Sequence, residues 1–422
     1  MELFLDVLGE SLVDTAKMLP FLFLAYLFIE YVENRHGERI EAILAGGGRW
    51  GSVPAALLGC VPQCGFSAIA SNFYASRVIS LGTLMAVFLA TSDEAVPLLV
   101  SMPAYWDKLV LLMVIVIKEP SFLSLTNFSN ILTQSSVRVI IALGVAGIII
   151  TQGTDLSAGR QVGLAALIAA TMLQALTNVN KVFPSLGEVP IPVVILLVCA
   201  VGALIGLVNG LIVAYLNVTP FITTLGTMII VYGINSLYFD SVGASPVAGF
   251  DPRFSSFAQG FIRIGGFKLS YLTFYAAIAS VFVWVLWNKT RFGKNIFAIG
   301  GNPEAAKVSG VNVAVNLVMI YALAGVFYAF GGMLEAGRIG SATNNLGFMY
   351  ELDAIAACVV GGVSFAGGVG TVAGVITGVL IFTLINYGLT YIGVSPYWQF
   401  IIKGGIIILA VALDSMKYAK KK

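Results

Sequence analysis

The chain has 422 residues, 58% hydrophobic and only 10% charged, with a mean hydropathy of +0.94. A soluble globular protein carries about 25% charged residues, so this composition excludes a water-facing surface and predicts an all-α, polytopic integral membrane protein. The formal net charge of +2 argues against a nucleic-acid partner, and a single histidine, His36, leaves little scope for histidine-based metal or acid–base chemistry. The start, "MELFLDVLGESLVDTAK", is acidic where a signal peptide would be basic, which predicts no cleaved targeting segment.

A helix needs about 20 apolar residues to cross the hydrocarbon core. The leading candidates are Met18–Val32, Val53–Phe73 and Ile79–Ser101, followed by Lys108–Ile117, which is too short alone. Cys60 and Cys64 stand at C-x3-C spacing on one helical face, and Asp93 and Glu94 lie within a span. These four are the candidate soft-metal and intramembrane carboxylate ligands. Two thiolates are too few for a tight site and no histidine lies near, so the expectation is that no metal binds.

Thr133–Gln152 and Leu156–Leu173 come next, separated by "TQGTDLSAGR" (Thr151–Arg160). Asp155 or Ser157 can cap the second helix, and Gly153 permits the turn. A plain interhelical turn and a functional role both remain open. Ile191–Leu216 and Phe221–Phe239 follow, with Asn209, Asn217, Thr219, Thr223, Thr224 and Asn235 in or between them. Such groups at membrane depth either line a path for a hydroxyl-rich solute or hydrogen-bond between helices. A long loop, Asp240–Lys268, leads to the span Ser270–Asn288.

The stretch "FGKNIFAIGGNPEAAKVSG" (Phe292–Gly310) is among the most polar in the chain. It predicts a short helix capped by Asn302, opened by Pro303 and Glu304 and closed by Gly310. Ala305, Ala306 and Val308 offer small apolar contacts, and Arg291, Lys294, Glu304 and Lys307 polar ones, for docking to another subunit. Val313–Met333 is the next span. Leu352–Phe365 is short and glycine-rich, hence the best re-entrant candidate, and Glu351 and Asp353 open it. "GGVSFAGGVGT" (Gly361–Thr371) lies between apolar spans, where glycines serve close packing or a re-entrant turn. No G-x-x-x-x-G-K-[ST] occurs, so ATP, if it drives this protein, binds another chain. Val369–Ile392 and Tyr397–Leu413 complete about thirteen candidate spans, some broken or re-entrant. Cys199 and Cys358 are expected to be buried free thiols.

Lys and Arg mark the cytoplasmic side. Placing the tail "KYAKKK" inside also puts Lys289, Arg291, Lys294 and Lys307 inside, the Asp240–Lys268 loop outside and the N-terminus outside.

Long stretches carry a resemblance: "FLSLTNFSNILTQSSVR", "TQGTDLSAGRQVGLAA", "AYLNVTPFITTLGTMIIVYGINSLY", "WNKTRFGKNIFAIGGNPEAAKVSGVNV" and "FGGMLEAGRIGSATNNLGFMYELDAIAACVVGGVSF". From about Pro120 to Lys422 the chain resembles the galactoside-import permeases of the ribose/branched-chain amino acid ABC permease family. The resemblance implies a bacterial inner-membrane homodimer amid lipid, an ATP-binding subunit on the cytoplasmic face and a periplasmic galactose/glucose-binding protein. It implies no covalent chemistry and no cofactor on this chain, with ATP on the partner. It also implies an ATPase-coupling region that includes Arg291, Gly300, Gly301, Asn302, Pro303, Glu304, Ala305, Lys307 and Gly310. The substrate-path candidates become Asp155, Asn209, Asn217, Thr219, Thr223, Thr224 and Asn235, with Asn344 and Asn345. Residues 1–117, through "LLGCVPQCGFSAIASNFYASRVISLGTLMAVFLATSDEAVPLL", resemble the leading spans of a heavy-metal or manganese exporter family instead. The two parts, 1–117 and 118–422, meet at "LVLLMVIVIKEPSFLSL", as in a gene fusion or a chimera. The alternative functions are accordingly a metal exporter or an inactive chimera.

Overall fold

The structure, a computed structural model, describes Phe122 and residues 124–264 and 267–419. The first four expected spans, with Cys60, Cys64, Asp93 and Glu94, lie outside the described residues. Helix α1 (Leu125–Ile150) starts where Ser124 accepts a hydrogen bond from the Asn127 amide. It runs about 39 Å at 1.5 Å per residue and is mostly buried. Helix α2 (Ala158–Met172) covers only 15 residues. Leu156–Leu173 is therefore not a full crossing: residues 151–157 stay in the connecting turn, and about 22 Å of helix remains. Helices α3 (Ile191–Tyr215) and α4 (Pro220–Ser241) each open on a proline, which needs no amide partner in the first turn.

The expected outer loop carries structure of its own. Strand β1 (Val247–Ala248) leads to α5 (Pro252–Gln259), capped by Asp251, then to the hairpin β2 (Phe261–Ile264) and β3 (Phe267–Ser270). The Arg253 guanidinium beside Asp251 hydrogen-bonds its carboxylate and holds it below the usual carboxylate range. Helix α6 (Tyr271–Lys289) follows, then two short helices, α7 (Arg291–Gly301) and α8 (Pro303–Val308). Helix α9 (Val313–Ile339) ends at Gly340, whose φ of 86° is open to glycine at little cost. Strand β4 (Ser341–Ala342) pairs antiparallel with β1. Helix α10 (Tyr350–Val360) has only 11 residues, as a re-entrant segment requires. Helices α11 (Val372–Tyr391) and α12 (Pro396–Ala419) complete the described chain.

Six of these helices (α1, α3, α4, α6, α9 and α11) are long and apolar enough to cross a membrane. Helix α9 is their hub, packing on α1, α2 and α3. The contact with α3 is made by bare backbone. A Cβ on Gly202 would lie under 3.0 Å from the Gly325 carbonyl oxygen, and one on Gly325 equally close to the Gly202 oxygen. One turn along α3, Gly206 meets the Tyr321 carbonyl in the same way. Lipid tails are as apolar as leucine, so helices here associate through close contact rather than hydrophobic burial, and small residues permit that contact. The opposite faces of α3, α4 and α6 expose Leu196, Leu204, Ile230, Leu237 and Ile278 by 62–73%, a surface suited to hydrocarbon. Cys358 is buried and free, and Cys199 is free but only partly buried.

Gly325→Val places a branched side chain against the Gly202 carbonyl. It should destabilise the protein by at least about 1–3 kcal/mol, read as a lower unfolding midpoint in detergent. Val315→Ala, on an exposed position of the same helix, should leave the midpoint in place.

Candidate functional site

The turn between α1 and α2 is a buried polar knot. Gln152 takes φ of 63°, so it, and not Gly153, supplies the left-handed residue of the turn. Gly153 is required for space: a Cβ there would stand 2.8 Å from Ile148 Cγ2 and 2.9 Å from the Tyr321 hydroxyl. Neither Asp155 nor Ser157 caps α2 as expected. Ser157 has helical backbone angles and makes no side-chain cap. Its amide and hydroxyl donate to Asp155 Oδ1 at 2.9 and 2.5 Å. The Ser157 hydroxyl also accepts from Gln161 Nε2 (2.9 Å) and Asn209 Nδ2 (3.2 Å). Asn209 Oδ1 accepts from Thr227 (2.6 Å), and the Leu156 amide donates to Thr224 Oγ1 (3.1 Å).

The structure thus brings Asp155, Asn209 and Thr224 together, and all three are fully buried. Gln161 and Thr227 belong with them and were missed, because nothing in their local sequence marks them. Thr223 is buried with its hydroxyl unpartnered. Asn235 lies further along α4, donating to the Asn344 carbonyl at 3.1 Å. Asn217, Thr219 and Asn345 are exposed and outside this knot.

The same turn touches the α7–α8 junction. Gln152 Nε2 donates to the carbonyls of Gly300 (2.7 Å) and Ala366 (3.1 Å), and the Gly368 amide donates to the Ile150 carbonyl (2.9 Å). Gly300 is buried so tightly on Ile150 that no Cβ would fit. It serves packing and offers no docking surface. Asn302 ends α7 and caps α8, accepting from the Ala305 amide at 3.0 Å. Gly310, at φ 85°, closes α8. The expected single helix is therefore the second of a pair. Within α8, Ala306 is 4% exposed and faces the bundle, so it is not available as a docking contact. Arg291, Gly301, Asn302, Pro303, Glu304, Ala305, Lys307 and Val308 are exposed.

A third cluster joins α1, α9, α10 and α12. Asp353 accepts from Arg138 Nη1 (2.9 Å) and Lys403 Nζ (3.1 Å). Arg338 forms two parallel bonds to Glu335 at 2.7 and 2.9 Å, and the Tyr350 hydroxyl donates to the same carboxylate at 2.6 Å. Asp353 stood out in the sequence; its partners, far away in the chain, did not. No group of three or more metal-ligating side chains occurs among the described residues.

Residues 127–411 match the family described as "Branched-chain amino acid transport system / permease component". The chain belongs to this family. It is 79% identical over 318 residues to a "Galactose/methyl galactoside import permease protein" of Haemophilus influenzae (strain KW20/Rd), covering 75% of this chain and 95% of that protein. It is 80% identical over 314 residues to the protein of the same description in Escherichia coli (strain K12), covering 74% and 94%. A "Ribose import permease protein" of Escherichia coli (strain K12) is 38% identical over 312 residues, covering 73% and 92%. No solved structure matches. The metal-exporter alternative gains no support from these relatives.

The permease holds Asp353 and Glu335 by ion pairing. Asp353→Asn leaves Arg138 and Lys403 without a counter-ion and should cost about 3–5 kcal/mol. Lys403→Met keeps the Arg138–Asp353 pair and should cost less. Unfolding in detergent measures both, and equal small losses would show that the carboxylate does not organise this cluster.

Proposed function

We propose that this permease is the membrane subunit of a bacterial ABC importer for galactose and methyl galactosides. The identity of about 80% to import permeases of that description carries the reading. The chain performs no covalent chemistry. It offers the sugar alternating access across the inner membrane, receives it from a periplasmic binding protein and works as one of two permease copies. ATP is bound and hydrolysed on a separate subunit at the cytoplasmic face. The α7–α8 pair is the element through which that subunit drives the bundle. Its geometry supports this: one side is bolted to Ile150 and Gln152, while Ala305, Lys307 and Val308 stand free on the other. The buried knot at Asp155, Asn209 and Thr224 lies just beyond Gln152, so movement of α7–α8 reaches polar groups inside the bundle through one side chain. Residues 1–117 act as a passenger, and Cys60→Ser with Cys64→Ser leaves uptake and metal tolerance as they are.

The test is replacement of the permease in a bacterium lacking its own galactose permease but retaining the ATP-binding subunit and binding protein. Galactose uptake should return. Val308, 88% exposed, provides the check on coupling. Val308→Asp should lower uptake and binding-protein-stimulated ATP hydrolysis about tenfold, the equivalent of 1.4 kcal/mol, with the protein still in the membrane. Full hydrolysis and uptake in Val308→Asp would remove the docking role from α8.

A further inference from the structure

A fourth group of side chains lies apart from the knot at Asp155 and the Asp353 ion cluster, on the face where α2, α4 and the segment before α10 meet. The Arg160 guanidinium lies 4.2 Å from the Tyr232 ring centroid and 5.2 Å from that of Phe348. Its Nη1 has no hydrogen-bond partner. Immediately before it, Gly159 sits so close to the Glu351 carboxylate and the Gly347 carbonyl that a Cβ would overlap both. Glu351 is 8% exposed, and its Oε2 is likewise unpartnered. One turn further along α2, Gly163 lies against Asn235 Nδ2 and the Leu346 carbonyl. Asn235 is 0% exposed; its amide nitrogen is used by Asn344, and its Oδ1 has no partner.

Three planar polar groups thus converge with unused hydrogen-bonding capacity, and two aromatic rings stand beside them. Leaving a buried polar group unsatisfied costs about 1–3 kcal/mol, more for a charged one. A cation and an anion on neighbouring elements could remove that cost by pairing with each other. The Asp353 cluster does so; Arg160 and Glu351 do not. The rings are also partly open, with Tyr232 42% and Phe348 47% exposed. Arginine beside them cannot face hydrocarbon without heavy cost, so this face of the chain lines a water-accessible path rather than lipid. Both α2 and α10 begin here, inside the bundle, and broken helices of this kind place solute sites within the membrane.

We propose that Arg160, Asn235 and Glu351, with the rings of Tyr232 and Phe348, form the contact site for the transported sugar in the permease. The inference rests on the galactoside reading above. The chemistry suits a neutral polyol ring. Guanidinium donors, a carboxylate and an amide oxygen meet neighbouring hydroxyls in pairs, as donor and acceptor. An aromatic face covers the apolar C–H face of the ring, as in other small-molecule sites with few polar groups on apolar walls. A site built on such bonds discriminates strongly against an analogue that lacks one hydroxyl, because its own buried group is then left unpaired.

The complete importer, permease with ATP-binding subunit and binding protein, is reconstituted in liposomes. Uptake of galactose and of its monodeoxy analogues is measured alongside ATP hydrolysis. Glu351→Gln should lower galactose uptake about tenfold or more, lower its preference over at least one monodeoxy sugar, and leave binding-protein-stimulated hydrolysis running. Tyr232→Ala, at a partly exposed position where truncation spares the interior, should also cut uptake, and Tyr232→Phe should restore it. Wild-type uptake and selectivity in Glu351→Gln and Tyr232→Ala would overturn the site. So would parallel loss of every sugar together with hydrolysis, which marks a structural role. A wild-type importer that moves no galactose would instead bring down the galactoside reading itself.

Discussion

The bundle depends on one contact, the approach of α3 to α9 at Gly202 and Gly325. Two backbones touch there, each glycine leaving room for the other's carbonyl. In lipid this closeness replaces the hydrophobic drive that water supplies to soluble cores. It also fixes height. Once Gly202 faces Gly325, Gly206 must face Tyr321, and Tyr321 carries its hydroxyl to Gly153 in the turn after α1. The polar knot at Asp155 thus inherits its position from a glycine stripe on another helix.

From that frame hang the discontinuous elements. Neither α2 nor α10 is long enough to cross, and backbone that leaves a helix at membrane depth is tolerated only where protein or water satisfies it. The amides of Thr151, Gln152 and Gly153 donate to helical carbonyls, that of Leu156 to Thr224 and that of Ser157 to Asp155; those of Val363, Ser364 and Gly367 donate within their own turn, and that of Gly368 to Ile150. Both turns touch Gly300, the first at Gln152 and the second at Gly367 and Gly368. The junction of α7 and α8 is therefore not an appendage. It accepts the Gln152 side chain of the first broken segment and packs on Gly367 and Gly368 of the second.

Much of this was legible from periodicity and punctuation. The long apolar runs from residue 125 onward appear as helices with shifted boundaries, most of all at α1, which begins at Leu125 and not at Thr133. Asn302, Pro303, Glu304 and Gly310 do what their chemistry predicts, because capping is local. What escaped the sequence is non-local. Nothing near Arg138 or Lys403 announces Asp353, 215 and 50 residues away. Ala306 and Ala305 are the same residue type, and only the bundle decides that one turns inward. Leu156–Leu173 reads as a span because hydropathy cannot distinguish a lipid-facing helix from a short one buried among its neighbours. The turn residue was assigned to Gly153 on propensity, whereas tertiary bonds from the Gln152 side chain hold Gln152 itself in the left-handed region.

The charged residues then divide by how they are treated. Desolvating a charge is expensive, and a fold has two ways to bear it. Arg138, Lys403 and Asp353 take the first, direct pairing, and so do Arg338 and Glu335. The Asp353 pairs tie α1, α10 and α12 together, and the Tyr350 hydroxyl ties the start of α10 to Glu335 of α9. Arg160 and Glu351 do not pair: the guanidinium lies over aromatic rings and the carboxylate retains an unpartnered oxygen. The two treatments sit on one short helix: Asp353 is paired, and Glu351, two residues earlier, keeps an unpartnered oxygen. If Arg160 and Glu351 contact the sugar as proposed, a permease needs both, since walls that move must stay anchored while the groups facing the path exchange partners as the solute passes.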